Sequence, residues 1–187
     1  MKRTPAAGRR VRALLAGLAA ALILLPAHAQ EGLRDERAVR AAYVFNLIKY
    51  VEWPSQGREL TIALIGDAET GGVMASMLDG RTSNGKNIHV VLSPSDEALE
   101  NCGVLYIAAS RPEDIRYALE RMKGRSVLTV GETDGFVRGG GMVALINTGD
   151  HIRIEVNLDA VQRAGIRISS RVLNLAIIVR PAQNGGN

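Results

Sequence analysis

Apolar residues recur along the chain with two spacings, one typical of helices and one typical of strands. After an apolar N-terminal segment, the most apolar stretch runs from Ala38 to Pro54 and ends at the only tryptophan, Trp53. At 3.6 residues per turn this stretch predicts a helix with two apolar faces. One face contains Ala41, Val44, Phe45, Ile48 and Val51, and the other contains Tyr43, Leu47 and Tyr50. Arg40, Asn46 and Lys49 are left for solvent, so we expect the helix to lie between other elements.

Four short apolar runs predict strands, and the continuous run at residues 60–65 predicts a strand that is covered on both faces. These runs are residues 60–65, 88–92, 104–108 and 127–130. Between them, residues 71–78 and 112–123 have helical apolar stripes, and residues 81–86 predict a polar loop. Ser110 and Glu113 around Pro112 are typical of a capped helix start. Strands that alternate with helices favour parallel βαβ units with helices on both faces of the sheet.

The pattern changes after Gly131. Residues 142–146 and 152–156 flank the segment Asn147 to Asp150, whose turn composition predicts an antiparallel β-hairpin. Asn157 predicts the cap of a short helix that stops at Gly165. Ser169 or Ser170 predicts the cap of a last helix, in which Val172, Leu175, Ala176 and Val179 share a face. The fold class is therefore α/β: a single domain with a mixed, mainly parallel sheet sandwiched between helices and an antiparallel hairpin near the C-terminus.

The first 29 residues are predicted to be a cleaved secretory signal peptide, which leaves residues 30–187 as one domain. A basic start precedes the apolar run Ala13 to Leu25, and Ala27-His28-Ala29 has the pattern of a cleavage site. We therefore expect a periplasmic protein. Five of the 23 basic residues lie in this segment and all 19 acidic residues follow it, so the net charge of the remainder is near −1. A near-neutral domain gives no reason to expect a nucleic-acid partner.

Few residues are candidates for catalysis or metal binding. His89, His151 and Cys102 lack the number and spacing of a zinc site, so we expect no metal and no cofactor. Because Cys102 is the only cysteine, it predicts no internal disulfide, and a buried inert thiol is favoured over a redox group. His89 lies within a predicted strand, where a packed or edge position is favoured over a general base.

Two glycine-rich segments and one carboxylate pair also need an interpretation. Residues 66–72 follow a strand, but they lack the Lys-Ser or Lys-Thr of a P-loop and contain Asp67 and Glu69. Gly139 to Gly141 predict a bulge or a close backbone approach, with anion binding as the alternative. Glu132 and Asp134 end the fourth predicted strand, at an edge where α/β sheets bind ligands, although a solvated loop is favoured over an acid and base pair.

A candidate anion site lies near the predicted last helix. Arg167 and Arg171 flank an Ile-Ser-Ser segment, and arginines beside hydroxyls and free helix N–H groups can bind a carboxylate or phosphate. The predicted ligand-binding residues are Arg167, Ser169, Ser170 and Arg171.

Three segments resemble a known family. AAYVFNLIKYVEWP ends at Pro54, NCGVLYI ends at Ile107, and the stretch Gly135 to Leu175 contains GGMV, IEVNL and AGIRISSRVL. Together they resemble the YfiR-like periplasmic proteins. The resemblance implies a negative regulator that binds the sensor region of an inner-membrane diguanylate cyclase, lowers cyclic-di-GMP and biofilm formation, and is drawn away by an outer-membrane lipoprotein.

Because the chain also lacks a recognisable catalytic constellation, we expect a binding protein rather than an enzyme. The polar face of the hairpin and the segment after it predict the partner surface, which contains Arg138, His151, Arg153, Glu155 and Arg167. The alternative is a periplasmic small-ligand sensor or carrier that works with a histidine kinase or an uptake receptor. An enzyme that uses Glu132 and Asp134 is a third hypothesis. The second apolar face of the first helix predicts a homodimer.

Overall fold

The computed structural model describes residues 27–54, 57–108 and 111–180, so most of the predicted signal peptide and Ser110 lie outside the described residues. The chain divides into two compact units, residues 1–36 and 37–187. In the first unit, the described residues 27–36 are helical. Residues 37–187 form an α/β domain. Among the described residues, no helix has both the length and the apolar composition needed to cross a membrane.

The domain alternates strands with helices, as the apolar spacing predicts. The helices are α1 (Ala27–Ile48), α2 (Ala68–Leu78), α3 (Asp96–Glu100), α4 (Pro112–Arg121), α5 (Leu158–Arg163) and α6 (Ser170–Leu173). The strands are β1 (Val51–Glu52), β2 (Glu59–Gly66), β3 (Thr82–Ser83), β4 (Lys86–Leu92), β5 (Val104–Ala108), β6 (Leu128–Gly131), β7 (Val143–Asn147), β8 (Ile152–Val156), β9 (Arg167–Ile168) and β10 (Ile177–Ile178).

Eight strands form the main sheet in the order β10-β8-β7-β6-β5-β2-β4-β3. The five central strands, from β7 to β4, run parallel to one another. β8 pairs antiparallel with β7, so the predicted hairpin is confirmed, and β10 adds a parallel edge strand. The prediction of a mixed, mainly parallel sheet with an antiparallel hairpin is therefore confirmed.

The sheet buries apolar residues on both faces. In β5, Val104 and Tyr106 lie in the core beneath α1 and α2, whereas Leu105 and Ile107 lie in the core beneath α4. All four side chains are at most 1% exposed. A continuous apolar run is required here because successive side chains of a strand point to opposite faces.

The first helix is shorter at its C-terminal end than predicted. It ends at Ile48, and Val51–Glu52 instead form β1, which pairs antiparallel with Arg167–Ile168. Val51 is buried in this strand, so its apolar character is consistent with either structure. Trp53 is also buried, and its indole N–H donates to the carbonyl of Gly103 at 3.0 Å. Pairing with a distant segment, rather than Pro54, ends the helix.

Two further local predictions are wrong. The predicted polar loop at residues 81–86 contains β3 and a tight hairpin, in which Asn84 and Gly85 have φ values of 51° and 73°. Asn-Gly is the preferred pair for such a turn, so the signal was present in the sequence. The predicted last helix is only Ser170–Leu173, capped by Ser169, because Ile177–Ile178 pair with β8. Ile177 and Ile178 are β-branched, which favours a strand over a helix.

Phe136 packs between Gly131, at the end of β6, and Gly141, just before β7. A Cβ atom built on Gly141 would lie 2.1 Å from the Phe136 ring, and one built on Gly131 would lie 2.4 Å from it. Phe136 is 3% exposed, so its ring has little room to move. The prediction of a close backbone approach at Gly139 to Gly141 is thus confirmed at Gly141.

We expect Gly141→Ala to lower the free energy of unfolding by about 1–3 kcal/mol, the usual cost of overpacking a core. Urea unfolding followed by circular dichroism measures this change. Gly72→Ala is the matched control: it lies within α2 with open space around it, so the added methyl group should stabilise the helix by about 0.5–1 kcal/mol. Equal stability of wild type and Gly141→Ala would contradict the close packing.

Candidate functional site

An open apolar groove lies beside α1. Its volume is about 570 Å³. The floor is the cross-strand pair Leu145 and Ile154 of the β7–β8 hairpin, and the walls come from α1 and from α6 with the turn after it. The lining residues are Val39, Ala42, Tyr43, Asn46, Leu47, Tyr50, Leu145, Ile154, Val172 and Leu175.

The helical spacing of α1 explains why one wall of the groove is apolar. Ala41, Val44 and Ile48 are at most 1% exposed and pack on the sheet. Val39, Tyr43 and Asn46 follow each other at intervals of four and three residues, so they form a neighbouring stripe that faces the groove. Leu47, predicted to belong to the second apolar face, is 6% exposed and therefore covered by its own chain.

Exposed large apolar residues concentrate around this groove. Seven are found among the described residues, and Val39, Tyr50 and Leu175 line the groove with exposures of 44%, 37% and 79%. Ile178 is also exposed, in edge strand β10, where it pairs with Val156 and so shares the sheet face of Ile154. Exposed apolar surface of this kind marks interaction sites on proteins. We call these four residues and the groove the apolar surface.

A buried ion pair attaches α1 to the sheet beside the groove. The guanidinium Nη1 of Arg40 lies 3.2 Å from Oε2 of Glu132, which follows β6. Its Nε–H also donates to the carbonyl of Leu145, a residue of the groove floor, at 3.4 Å. Arg40 is 8% exposed, so the prediction that it faces solvent is wrong. The long side chain of Arg40 crosses the apolar layer and reaches the carboxylate of Glu132, a residue distant in the sequence.

A second arginine of α1 contacts the end of β2. Arg37 lies 3.4 Å from the Asp67 carboxylate and 2.8 Å from that of Glu69. Asp67 also caps α2, because its carboxylate accepts hydrogen bonds from the backbone N–H and the hydroxyl of Thr70, both at 2.8 Å. These bonds, the Thr70 N–H first, and the nearby Arg37 lower the pKa of Asp67. The glycine-rich segment at residues 66–72 therefore serves as a capped helix start.

The predicted polar face of the hairpin is only partly open. Arg138 and His151 are exposed, but Glu155 is 7% exposed. Arg153 donates to Glu155 at 3.1 Å and to Asp134 at 3.3 Å. The expectation that Glu155 faces outward is wrong, because the addition of β10 beside β8 places Ile177 next to it. Whether these residues bind a partner remains a prediction.

The two predicted carboxylates do not converge. Glu132 contacts Arg40, whereas Asp134 contacts Arg153. An acid and base pair must share a position where a reacting atom can sit, and these two groups are held by different arginines. Across the described ranges, no group of three or more His, Cys, Asp or Glu side chains could hold a metal ion.

The predicted anion-binding residues lie on the surface around α6. Arg167 is largely exposed, with its Nε 3.9 Å from Glu52. The Ser169 hydroxyl already accepts the backbone N–H of Arg171 at 3.3 Å, as the helix cap, and Ser170 and Arg171 are exposed. A helix of four residues carries little dipole, so this segment offers weaker attraction for an anion than the sequence indicated. Anion binding here remains a prediction.

The buried position predicted for Cys102 is confirmed. The residue is 5% exposed, and its thiol donates to the carbonyl of Leu99 at 3.2 Å. Burial raises the pKa of the Cys102 thiol to about 11. His89 is exposed in β4, with Nε2 2.7 Å from Glu59, which agrees with the predicted edge position.

Comparison with known proteins supports the family resemblance. Residues 37–177 match the sequence profile of the family described as YfiR/HmsC-like. This match confirms the resemblance predicted from the sequence segments. A similar solved structure is that of the ABC domain in complex with L-Trp from Streptococcus pneumonia, with a TM-score of 0.49 and 11% sequence identity. The similarity covers 72% of this chain and 59% of that chain, so this chain spans less than two thirds of its length.

We expect Arg40→Met to lower the free energy of unfolding by about 3–5 kcal/mol, because it removes the cation that faces the buried Glu132 carboxylate. The double variant with Glu132→Leu should recover part of the loss. Chemical denaturation of both single variants and the double variant gives the coupling energy. Arg121→Met is the control: its partner Asp96 is exposed, so the loss of stability should lie within experimental error, as for most surface pairs. An equally small loss for Arg40→Met would contradict the anchoring role.

We expect stability to fall between about pH 9 and pH 11 because of Cys102. In the folded state the thiol stays neutral up to its pKa of about 11, whereas in the unfolded state it ionises near its ordinary pKa. The contribution of the neutral thiol to stability is therefore complete below the unfolded-state pKa and is lost above the folded-state pKa. Thermal unfolding across this range should show a flatter decline for Cys102→Ala. Parallel curves for the two proteins would contradict the burial of the thiol.

Proposed function

Because the chain belongs to the YfiR/HmsC-like family, we propose that it is a periplasmic protein that restrains an inner-membrane diguanylate cyclase by binding its sensor region. Cyclic-di-GMP and biofilm formation fall as a result. The basic and apolar N-terminal segment, followed by an Ala-His-Ala pattern, supports export. The regulator acts by contact and converts no substrate. The open apolar surface is the observation that carries this proposal.

The apolar surface is the contact for the cyclase. Leucine is among the residues most often buried in folded proteins, whereas Leu175 lines the groove with 79% of its surface exposed. Burying such side chains against a partner is favourable by roughly 1.5–3 kcal/mol for each one that becomes fully covered. Asn46 also lines the groove and supplies a polar group that can fix the orientation of the partner. An apolar centre with a polar rim is the usual anatomy of a protein contact.

The groove also fits a helical or extended segment of the partner. Its floor is a pair of strands and its walls are α1 and α6, so an amphipathic helix could lie along α1 with its apolar side down. β10 is the last strand of the sheet in the described part of the chain, and a strand of the partner could pair with its outer edge. In the first of these modes the partner covers Leu175, which lines the groove.

Regulation then requires that the protein bind one state of the cyclase more tightly than the other. A shift of the enzyme from mostly active to mostly inactive needs a difference of about 5 kcal/mol between the two affinities. Burial of two or three of the exposed apolar side chains in only the inactive state supplies a difference of that size. An outer-membrane lipoprotein that competes for the same protein would restore cyclase activity.

The exposed residues of the hairpin form the second part of the proposed contact. Arg138 and His151 remain accessible, whereas Arg153 and Glu155 hold the hairpin to the Asp134 loop and act through its position. Charge reversal at Glu155 would therefore disturb folding as well as binding. Arg138→Glu and His151→Glu are the cleaner tests of this face.

A small-ligand sensor or carrier that works with a histidine kinase or an uptake receptor is the alternative function. A second cavity, lined by Met122, Lys123 and Arg163 among other residues, favours this alternative function. The two functions are compatible, because a ligand in that cavity leaves the apolar surface free.

We expect Leu175→Glu to weaken binding of the cyclase periplasmic region by at least about tenfold, because it places a charge in an apolar contact. Pull-down with the purified region and cyclic-di-GMP levels in cells measure the loss. Tyr117→Glu is the matched control, since Tyr117 is an exposed apolar residue of α4 that lies outside the groove. It should bind as wild type does.

Unchanged cyclase binding by Leu175→Glu would exclude the groove as the contact. If Leu175→Glu instead abolishes a homodimer, seen by light scattering, while cyclase binding is unchanged, a second copy of this chain occupies the groove.

A further inference from the structure

A second cavity lies between the end of α4, the Gly139–Gly140 turn and α5. Its volume is about 500 Å³, within the usual range for small-molecule sites. No residue of this cavity belongs to the apolar surface or to the residues predicted from the sequence to bind a partner. The proposed contact with the cyclase therefore does not account for it.

The walls of the cavity are largely apolar. Leu119 and Met122 come from α4 and the turn after it, Met142 precedes β7, and Ala160 and Ala164 come from α5 and its end. The small alanine side chains leave the space open. A ligand with an apolar body of several carbon atoms would therefore replace water favourably here.

Cationic side chains surround the apolar walls. Lys123, Arg125 and Arg163 line the cavity, and Glu120 is the one acidic residue that does so. Lys123 contacts Glu120 at 2.7 Å, and Arg125 contacts Glu100. Arg163 makes no ion pair with any described residue, so its guanidinium is available to a ligand.

One cation of the cavity has no ion pair among the described residues. Lys123 is paired with Glu120 and Arg125 with Glu100, whereas Arg163 has no such partner. α4 and α5 both end at the cavity, and their C-termini place partial negative charge there, which exposure to water and salt weakens. The single unpaired guanidinium suits one negative charge on the ligand.

A buried hydroxyl adds a specific polar contact. Thr129 is 2% exposed, and its hydroxyl oxygen accepts the backbone N–H of Met142 at 3.0 Å. The hydroxyl hydrogen can then donate to a ligand oxygen. By contrast, the N–H groups of Gly139 and Gly140 donate to the carbonyls of Gly135 and Val137. Side chains, and not the glycine backbone, therefore supply the polar contacts.

We propose that this cavity binds a small amphipathic monocarboxylate, with its carboxylate at Arg163 and Lys123 and its apolar body against Met122, Met142 and Ala160. Neither the family nor the proposed contact with the cyclase assigns this site. The proposal concerns the isolated protein, so its failure and the failure of the proposed function are separate results.

Isothermal titration calorimetry with 3-phenylpropionate and octanoate tests the proposal. The probes are titrated to about 1 mM, where a weak site of this kind begins to fill. The matched alcohols, 3-phenylpropanol and octanol, should bind at least about tenfold more weakly, because they lack the charge that the arginine recognises. Amide NMR shifts should localise the bound acid at Thr129, Gly139 and Gly140.

Arg163→Gln tests the assigned charge. Arg163 is exposed, so the substitution should leave the fold intact, and it should weaken carboxylate binding by about tenfold while leaving alcohol binding unchanged. Arg58→Gln removes an exposed arginine that does not line the cavity and should bind as wild type does. Equal affinity for acid and alcohol, unchanged binding by Arg163→Gln, or no binding of either acid would each overturn the proposal.

Discussion

The buried contact between Arg40 and Glu132 determines where α1 lies on the sheet. The arginine joins three elements, because it belongs to α1, contacts a carboxylate after β6 and donates to the carbonyl of Leu145 in β7. A charge that loses its buried partner costs several kcal/mol, so removing either group alone weakens the attachment of α1. α1 also forms one wall of the apolar groove, and Leu145 forms part of its floor.

Charged and apolar residues have opposite roles in this domain. Many of the charged residues that the sequence suggested for function, such as Glu132, Asp134, Arg153 and Glu155, are engaged in internal contacts. Several large apolar residues are instead exposed, with Leu175 and Val39 as clear cases. Ion pairs within the chain fix the shape of the surface, and in the proposed contact the apolar side chains supply the free energy of binding.

The two sites are supported by different kinds of geometry. The groove is open and mainly apolar, and its walls come from helices, which suits a segment of another protein. The second cavity combines small apolar side chains with cations and one buried hydroxyl, which suits a small anionic molecule. The sequence pattern indicated Gly139 and Gly140 of the second cavity as candidates for anion binding, but it did not indicate Arg163 or Lys123. These residues are ordinary surface cations in the sequence, and only the approach of α5 to the end of α4 brings them together.

The sequence by itself determined the parallel strands, the β7–β8 hairpin and the cap of α5, where Asn157 accepts the N–H of Ala160 at 3.0 Å. These features depend on residues a few positions apart, so periodicity and turn chemistry are sufficient to predict them. Only the tertiary structure decided the burial of Arg40, whose carbonyl partner Leu145 is 105 positions away, and the burial of Glu155 beside β10. A buried ion pair or a groove arises where distant segments pack, and hydrophobic spacing within one segment contains no information about its neighbour in space.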